Sequence, residues 1–177
     1  MFTGTTRAFS PRSAAAAIFL VLAAVSSTES SGQSLLNFER FKGHWTGSGW
    51  FSYGDGHRER ASCEVNVRSY GRPDRGGIDF ACTAGTTSIR GRAFDVTLEG
   101  PKAAGSWELP SYAVAGVLSG RVTSAKFEVT LRPQTLIFAN YYGRLAVSVP
   151  GDCHATAIAS IEAPTALKNI TILLRRC

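Results

Sequence analysis

Residues 43–51, Gly43-His44-Trp45-Thr46-Gly47-Ser48-Gly49-Trp50-Phe51, decide the fold class of this chain. Thr46, Ser48 and Trp50 recur at every second position, which is the period of a β-strand. Gly43 lets the backbone pass close to another group, and we expect Trp45 to fill the closed end of a barrel. We therefore interpret this stretch as the opening strand of a small antiparallel β-barrel.

The next stretch of sequence continues that strand into a hairpin. Gly54-Asp55-Gly56 is a turn signal between two alternating runs, so we expect residues 43–53 and 57–70 to pair. In the second run one face is small or apolar, with Ala61, Cys63, Val65 and Val67. The other face is polar, with Arg60, Ser62, Glu64, Asn66 and Arg68. This alternation is typical of a half-buried strand.

Short runs of the same kind fill the rest of the chain. We count about nine or ten strands with turns every 8 to 12 residues, which is the spacing of an all-β sandwich or barrel. We favour the barrel because glycines lie inside several strand patterns, where they mark bulges and the sharp bends of a closing sheet. These glycines are Gly47, Gly49, Gly91, Gly116 and Gly120.

The first residues have the pattern of an export signal. Arg7 and Arg12 precede a run of small and apolar residues at 13–25, and Ala24 and Ser26 suit a signal peptidase. The alternative, an uncleaved membrane anchor, needs roughly 20 apolar residues, and this run is shorter.

Three segments follow from that pattern. We expect residues 1–30 to be a signal peptide, 31–42 to be a lead-in segment, and 43–177 to form a single barrel domain. The protein is then exported, to the periplasm or outside the cell. No later stretch is long and apolar enough for a transmembrane helix, so we expect no span in the mature chain.

All four cysteines, Cys63, Cys82, Cys153 and Cys177, follow the expected signal peptide, and an even count in an exported chain indicates two disulfides. Three pairings exist. We favour Cys63–Cys82 with Cys153–Cys177, because each bond joins neighbouring stretches and closes a short loop. Metal ligation is the rival interpretation, but the chain has no C-x-x-C and no histidine at zinc spacing, so we expect no metal.

The chain is basic, with 19 Lys+Arg against 13 Asp+Glu and a formal net charge of +6. Its arginines are scattered and form no basic stripe interleaved with aromatics, so we expect no nucleic-acid partner. Attraction to an anionic envelope surface, such as lipid or acidic polysaccharide, is compatible with this charge. A solvated barrel exterior explains the arginines equally well.

Gly43-x-Trp45 at the start of the first strand, after a short aromatic lead-in, resembles the opening motif of the calycins. These are the lipocalins, fatty-acid-binding proteins and avidins. The resemblance implies an antiparallel up-and-down barrel whose interior holds one small ligand. It also implies an arginine over Trp45, for which Arg144, Arg175 and Arg176 are the candidates.

A wider pattern is similar to small exported alphaproteobacterial proteins of unknown function. It comprises Trp-x-Gly-Ser-Gly at 45–49, Cys63, Cys82 and Gly-Ser-Trp-Glu at 105–108. That family carries no established activity to transfer.

Aromatic residues are the candidates for a ligand site, because small-molecule sites are mostly apolar with a few placed polar groups. We take Gly43 and Trp45 as structural. The alternative for every candidate is that it only fills the core. The ligand-binding candidates are Trp50, Trp107, Phe80, Phe94, Phe127 and Tyr141.

No catalytic pattern is present. The chain has no G-x-S-x-G motif, and its carboxylates are few and scattered, so we expect neither an enzyme nor a cofactor. Two hypotheses remain. The first is an exported barrel that binds a small hydrophobic or aromatic ligand. The second is a solid-cored barrel that acts as a protein-interaction or envelope protein, for example an inhibitor-like module.

Overall fold

A computed structural model describes residues 38–134, 142–162 and 166–177 of the protein. Residues 1–30, the expected signal peptide, lie outside these ranges, as does Tyr141. Two 3-10 turns, Phe38–Arg40 and Pro110–Tyr112, are the helical elements in the described ranges. No helix there is long and apolar enough to cross a membrane.

Ten strands make up the rest of the described fold. They are β1 Gly43–Tyr53, β2 Arg58–Ser69, β3 Arg75–Ala84, β4 Thr87–Glu99, β5 Lys102–Leu109, β6 Val114–Val122, β7 Lys126–Pro133, β8 Tyr142–Ser148, β9 His154–Glu162 and β10 Leu167–Arg175.

The strands form a closed up-and-down barrel. Each strand pairs with the next one along the chain in antiparallel orientation, and β10 returns to pair with β1. Closure leaves no unpaired sheet edge. The prediction of an all-β, antiparallel up-and-down barrel is therefore confirmed, with ten strands.

The predicted hairpin is present. β1 and β2 pair from Gly43 opposite Val67 to Ser52 opposite Arg58. Trp45 and Phe51 point into the barrel and are buried, whereas the even-numbered residues of β1 are exposed or half-buried. The face of β2 that carries Cys63 points inward as predicted.

Aromatic residues close one end of the barrel, which we call the plugged end. Phe38 and Phe41, on the first 3-10 turn and just after it, are both buried with Trp45. The Trp45 indole Nε1 donates to the Phe41 carbonyl at 2.8 Å, and the Phe41 and Phe127 rings meet edge to face at 6.3 Å. The predicted aromatic lead-in is therefore part of the core.

Glycines allow β10 to approach β1 closely. A Cβ atom at Gly47 would collide with the Leu173 carbonyl oxygen, and one at Gly49 with that of Thr171. These inward positions carry no side chain, so the two backbones can come together where the sheet bends. The register shift between these two strands lies further along β1, between Ser52 and Tyr53.

A register shift in β4 changes which residues point inward. The pairing with β5 shifts between Phe94 and Thr97, and Asp95 has a left-handed φ of 51°. Ile89 is buried before the shift, and Val96 and Leu98 are buried after it. One extra residue therefore reverses the alternation along this strand.

Both favoured disulfides are present. Cys63 and Cys82 lie directly opposite each other on β2 and β3, with a Cα–Cα distance of 4.1 Å. Cys153 and Cys177 are joined at the plugged end, with a Cα–Cα distance of 5.2 Å. The first bond is buried in the barrel, whereas Cys177 of the second is exposed.

Candidate functional site

The barrel encloses a cavity of about 360 Å³. The cavity extends from the plugged end toward the opposite end, which we call the far end. Its wall is formed by side chains from every strand and both 3-10 turns. They include Phe38, Phe41, Trp45, Cys63, Val65, Ile78, Phe80, Cys82, Ile89, Trp107, Tyr112, Val114, Phe127, Leu131, Leu145, Val147, Ala155, Ala157, Ala159, Ile161, Leu167, Ile170 and Ile172.

The cavity wall is almost entirely apolar. In the described part of the chain no polar or charged side chain is buried. The polar or charged residues at the margin of the cavity are Tyr112, Tyr142, Arg144 and Ser160, of which the last three stand at outward positions of β8 and β9. A charged group deep in such a cavity would lose its hydration without gaining a partner. The interior therefore suits an apolar molecule.

Small side chains on β9 leave the space open. Ala155, Ala157 and Ala159 alternate along the inward face of this strand and line the cavity. Larger inward residues on the neighbouring strands, such as Leu145 and Ile172, do not fill the volume in front of them. The run of alanines on β9 is one contribution to the space inside the barrel.

Three of the aromatic candidates line the cavity. Phe80 enters from β3, Trp107 from β5 and Phe127 from β7. The Trp107 indole Nε1 donates to the Val117 carbonyl at 3.0 Å, which fixes the orientation of its ring. The structure therefore places these three residues at the wall of one space.

Trp50 does not belong to this group, and its assignment to the ligand site is corrected here. Its side chain is 43% exposed on the outside of the barrel, where the Arg58 guanidinium lies 5.2 Å from the ring centroid. Trp45 points inward, and Trp50 is five residues further along the same strand. Because side chains alternate faces, an odd separation places the two rings on opposite sides.

The assignment of Phe94 to the ligand site is also wrong, for a different reason. It precedes the register shift of β4 and does not line the cavity. Its ring lies 5.2 Å from the guanidinium of Arg92, which pairs with Glu108 at 2.7 Å. Tyr141, the remaining candidate, lies outside the described residues.

Two features of the cavity wall were not predicted from the sequence. The Cys63–Cys82 bond lines the cavity, and so does Tyr112 from the second 3-10 turn. The alternation of side chains along β2, which points Cys63 inward, was sufficient to place the disulfide at the wall. No sequence signal indicated that Tyr112 would fold over the cavity.

A polar group joins β1, β2 and β4 at the far end. The Tyr53 hydroxyl donates to Glu59 Oε2 at 2.9 Å, and Thr87 Oγ1 lies 3.4 Å from the same hydroxyl. The bond with Thr87 lowers the pKa of Tyr53, but desolvation together with the hydrogen bond and charge of Glu59 outweighs it. The pKa of Tyr53 is therefore raised above its ordinary value of 10.0.

Metal ligands do not cluster in the described ranges, where no three His, Cys, Asp or Glu residues come together. The histidine nearest to a carboxylate is His57, whose Nε2 lies 3.5 Å from Glu59 Oε1. His57 also stacks on Tyr53 at 5.6 Å. These contacts hold the first hairpin at its turn.

Comparison with known proteins found a structural likeness but no sequence match. No protein-family model matches the chain, and no curated protein matches its sequence. Among solved structures, the chain is similar to an S-type phycobiliprotein lyase from Guillardia theta, at 11% sequence identity and a TM-score of 0.49. The likeness covers 78% of this chain and 87% of that chain.

Proposed function

We propose that this protein is an exported binding module whose barrel cavity holds a small hydrophobic or aromatic ligand. The observation that carries the proposal is the apolar cavity of about 360 Å³. Its volume lies within the range of small-molecule sites. Phe80, Trp107 and Phe127 supply aromatic contact surface.

The energetic cost of an unfilled cavity supports occupancy. The side chains that line an empty space have no packing partners on that side and lose the corresponding dispersion contacts. Water gains little in an apolar cavity, so an apolar ligand is the natural occupant.

The ends of the cavity orient this ligand. Phe38, Phe41 and Trp45 close the plugged end with apolar surface. Toward the far end the lining includes the polar side chain of Tyr112, from the second 3-10 turn. A ligand with one polar group therefore places that group toward the far end and its apolar body among the aromatics.

The alternative hypothesis, a solid-cored barrel that acts through its surface, expects an interior filled by side chains. The cavity favours the ligand-binding hypothesis over it.

Export is the second part of the proposal. Two disulfides are consistent with an oxidising compartment, and residues 1–30 would act as the signal peptide.

Binding of a neutral apolar dye tests the proposal. N-phenyl-1-naphthylamine is excited by tryptophan emission, and Trp45 and Trp107 both line the cavity. We expect saturable dye fluorescence with one site per chain, together with quenching of tryptophan emission. Native mass spectrometry of protein from its own host would then identify a retained ligand by mass.

Two matched variants locate the site. Ala157→Phe puts a ring into the cavity and is expected to weaken dye binding at least tenfold, while Ala115→Phe makes the same change on the outer face of β6. Equal dye binding by both variants, or no saturable binding by the wild type, would contradict the proposal.

A further inference from the structure

Some charged side chains on the outer surface of the barrel are paired across or along strands. Arg68 of β2 contacts Asp79 of β3, and Arg92 of β4 lies 2.7 Å from Glu108 of β5. On β7, Lys126 Nζ lies 2.6 Å from Glu128 Oε1. The exterior from β2 round to β7 therefore carries charges of both signs, some of them in ion pairs.

The outward face of β1, β9 and β10 is different, and we call it the β10 face. Hydroxyl and apolar residues dominate it, and its one carboxylate is Glu162, at the far end of β9. Its outward residues are His44, Thr46, Ser48, Trp50, Ser52, His154, Thr156, Ile158, Ser160, Glu162, Asn169, Thr171, Leu173 and Arg175.

Three large apolar side chains lie together at the centre of the β10 face. Trp50 pairs with Thr171, and Thr171 pairs with Ile158. Trp50 and Ile158 therefore lie in one row across the sheet, on either side of Thr171. Leu173 is two residues further along β10, on the same side. Ile158 is 47% exposed and Leu173 is 64% exposed. Residues of this kind usually lie inside a fold or at a contact surface.

Arginines surround this apolar centre. Arg58 and Arg60 lie on β2 beside Trp50, Arg144 lies on β8, and Arg175 ends β10. All four are exposed. The carboxylates at the margin are Glu64, opposite Thr46, and Glu162, whose Oε1 lies 4.0 Å from Arg144. The margin is therefore predominantly positive.

We propose that the β10 face docks onto an anionic lipid surface. Peripheral binding to such a surface combines buried apolar side chains with electrostatic attraction of basic ones. The exposed Trp50, Ile158 and Leu173 supply the first component, and the surrounding arginines supply the second. Tryptophan beside arginine also suits the headgroup region, where one part of the ring is apolar and another is hydrated.

The same charges argue against a second copy of this chain as the partner. Two copies joined through their β10 faces would bring their arginine margins together, and like charges disfavour such contact. An anionic bilayer has the complementary sign over its whole area. This inference goes beyond ligand binding and does not depend on an occupied cavity.

Vesicle sedimentation with the full barrel tests the inference. We expect co-sedimentation with vesicles that contain phosphatidylglycerol, little with pure phosphatidylcholine, and release at about 0.5 M salt, where charges are strongly screened. Trp50 is the exposed tryptophan of the three, because Trp45 and Trp107 are buried. Its emission is therefore expected to shift to the blue on binding, and Trp50→Phe to remove that shift.

Two pairs of variants distinguish binding through the β10 face from nonspecific hydrophobic or electrostatic adsorption to the vesicles. Leu173→Ser is expected to weaken binding about tenfold, whereas Val117→Ser, at a 39% exposed position on β6, should not. Arg60→Gln with Arg175→Gln should weaken binding at least fivefold. Arg90→Gln with Arg121→Gln removes the same charge from β4 and β6 and should have a smaller effect.

Dye binding by the cavity should be unchanged in all of these variants, which separates this test from that of the proposed function. Equal binding to both vesicle types, no binding to either, or equal losses in the matched pairs would overturn the inference. Concentration-dependent dimerisation that Leu173→Ser abolishes, without vesicle binding, would assign the face to a second copy instead.

Discussion

The guanidinium of Arg176 lies 4.5 Å from the centroid of the Trp45 ring. The same group donates from Nε to the Asp152 carbonyl at 2.9 Å and from Nη1 to the carbonyls of Arg40 and Lys42. It therefore joins the segment after β10 to the plug before β1. Of the three arginines that the calycin resemblance left as candidates, Arg176 occupies the position over Trp45.

Removing this group should loosen the plugged end. We expect Arg176→Ala to lower the free energy of unfolding by about 2–3 kcal/mol, because it removes a cation–π contact and several charge-assisted hydrogen bonds. Arg176→Lys should recover only part of the loss, since an ammonium lacks the planar fork. Urea titration followed by tryptophan fluorescence measures both effects.

Arg175→Ala is the matched control, because its side chain is exposed on the outer face of β10. A surface change of this kind is usually worth less than about 0.5 kcal/mol. If the two alanine variants lose the same stability, Arg176 does not hold the plug.

Gly43 owes its place in the Gly-x-Trp motif to Arg176. Its φ is +126°, and a Cβ atom built there would lie 2.8 Å from Arg176 Cδ. We expect Gly43→Ala to cost about 1–3 kcal/mol through backbone strain, with a further loss from crowding. In the Arg176→Ala background, Gly43→Ala should lose only the part of the stability that is due to backbone strain. A double-mutant cycle by urea titration should show coupling, and strict additivity would contradict the contact.

The sequence was sufficient for the barrel because each local signal agreed with the global fold. Gly54-Asp55-Gly56 set the first hairpin, and the alternation of β2 placed Cys63 inside, opposite Cys82. Trp50 was assignable by the same rule, since its odd separation from Trp45 sends it outward. Trp50 was assigned to the ligand site because it is aromatic, and the alternation of side chains along β1 was not applied to it.

Other features depend on the closed structure. The register shift at Asp95 is marked by no turn residue in the sequence. By simple alternation Phe94 would share a face with Val96 and Leu98, whereas the shift separates them. Whether the interior is hollow depends on how all ten strands fill it together, which no single alternating run reveals.

The two disulfides should differ in their rate of reduction. Cys63–Cys82 is buried at the cavity wall, whereas Cys177 of the other bond is exposed. Thiol exchange requires an attacking thiolate to reach a sulfur atom. We therefore expect dithiothreitol under native conditions to cleave Cys153–Cys177 first. Alkylation of new thiols followed by peptide mass spectrometry measures each bond in one sample.

Occupancy of the cavity should widen that difference. A saturating apolar dye is expected to slow reduction of Cys63–Cys82 severalfold and to leave Cys153–Cys177 unchanged, because only the first bond lines the cavity. Equal protection of both bonds would indicate global stabilisation. Faster cleavage of the buried bond without dye would contradict the structure.

Tyr53 should make stability fall at alkaline pH. Its pKa is raised above 10.0, so the folded state holds the phenolic proton more tightly than the unfolded state does. The stabilisation is fully present below the unfolded pKa and is lost as the pH rises through the folded pKa. Tyr53→Phe, which cannot ionise, should therefore lose less stability than the wild type between about pH 9 and 11.

Urea midpoints across that window measure the difference, with Tyr70→Phe, on an exposed tyrosine, as the control. Parallel pH curves for wild type and Tyr53→Phe would show that Glu59 and burial do not hold this proton.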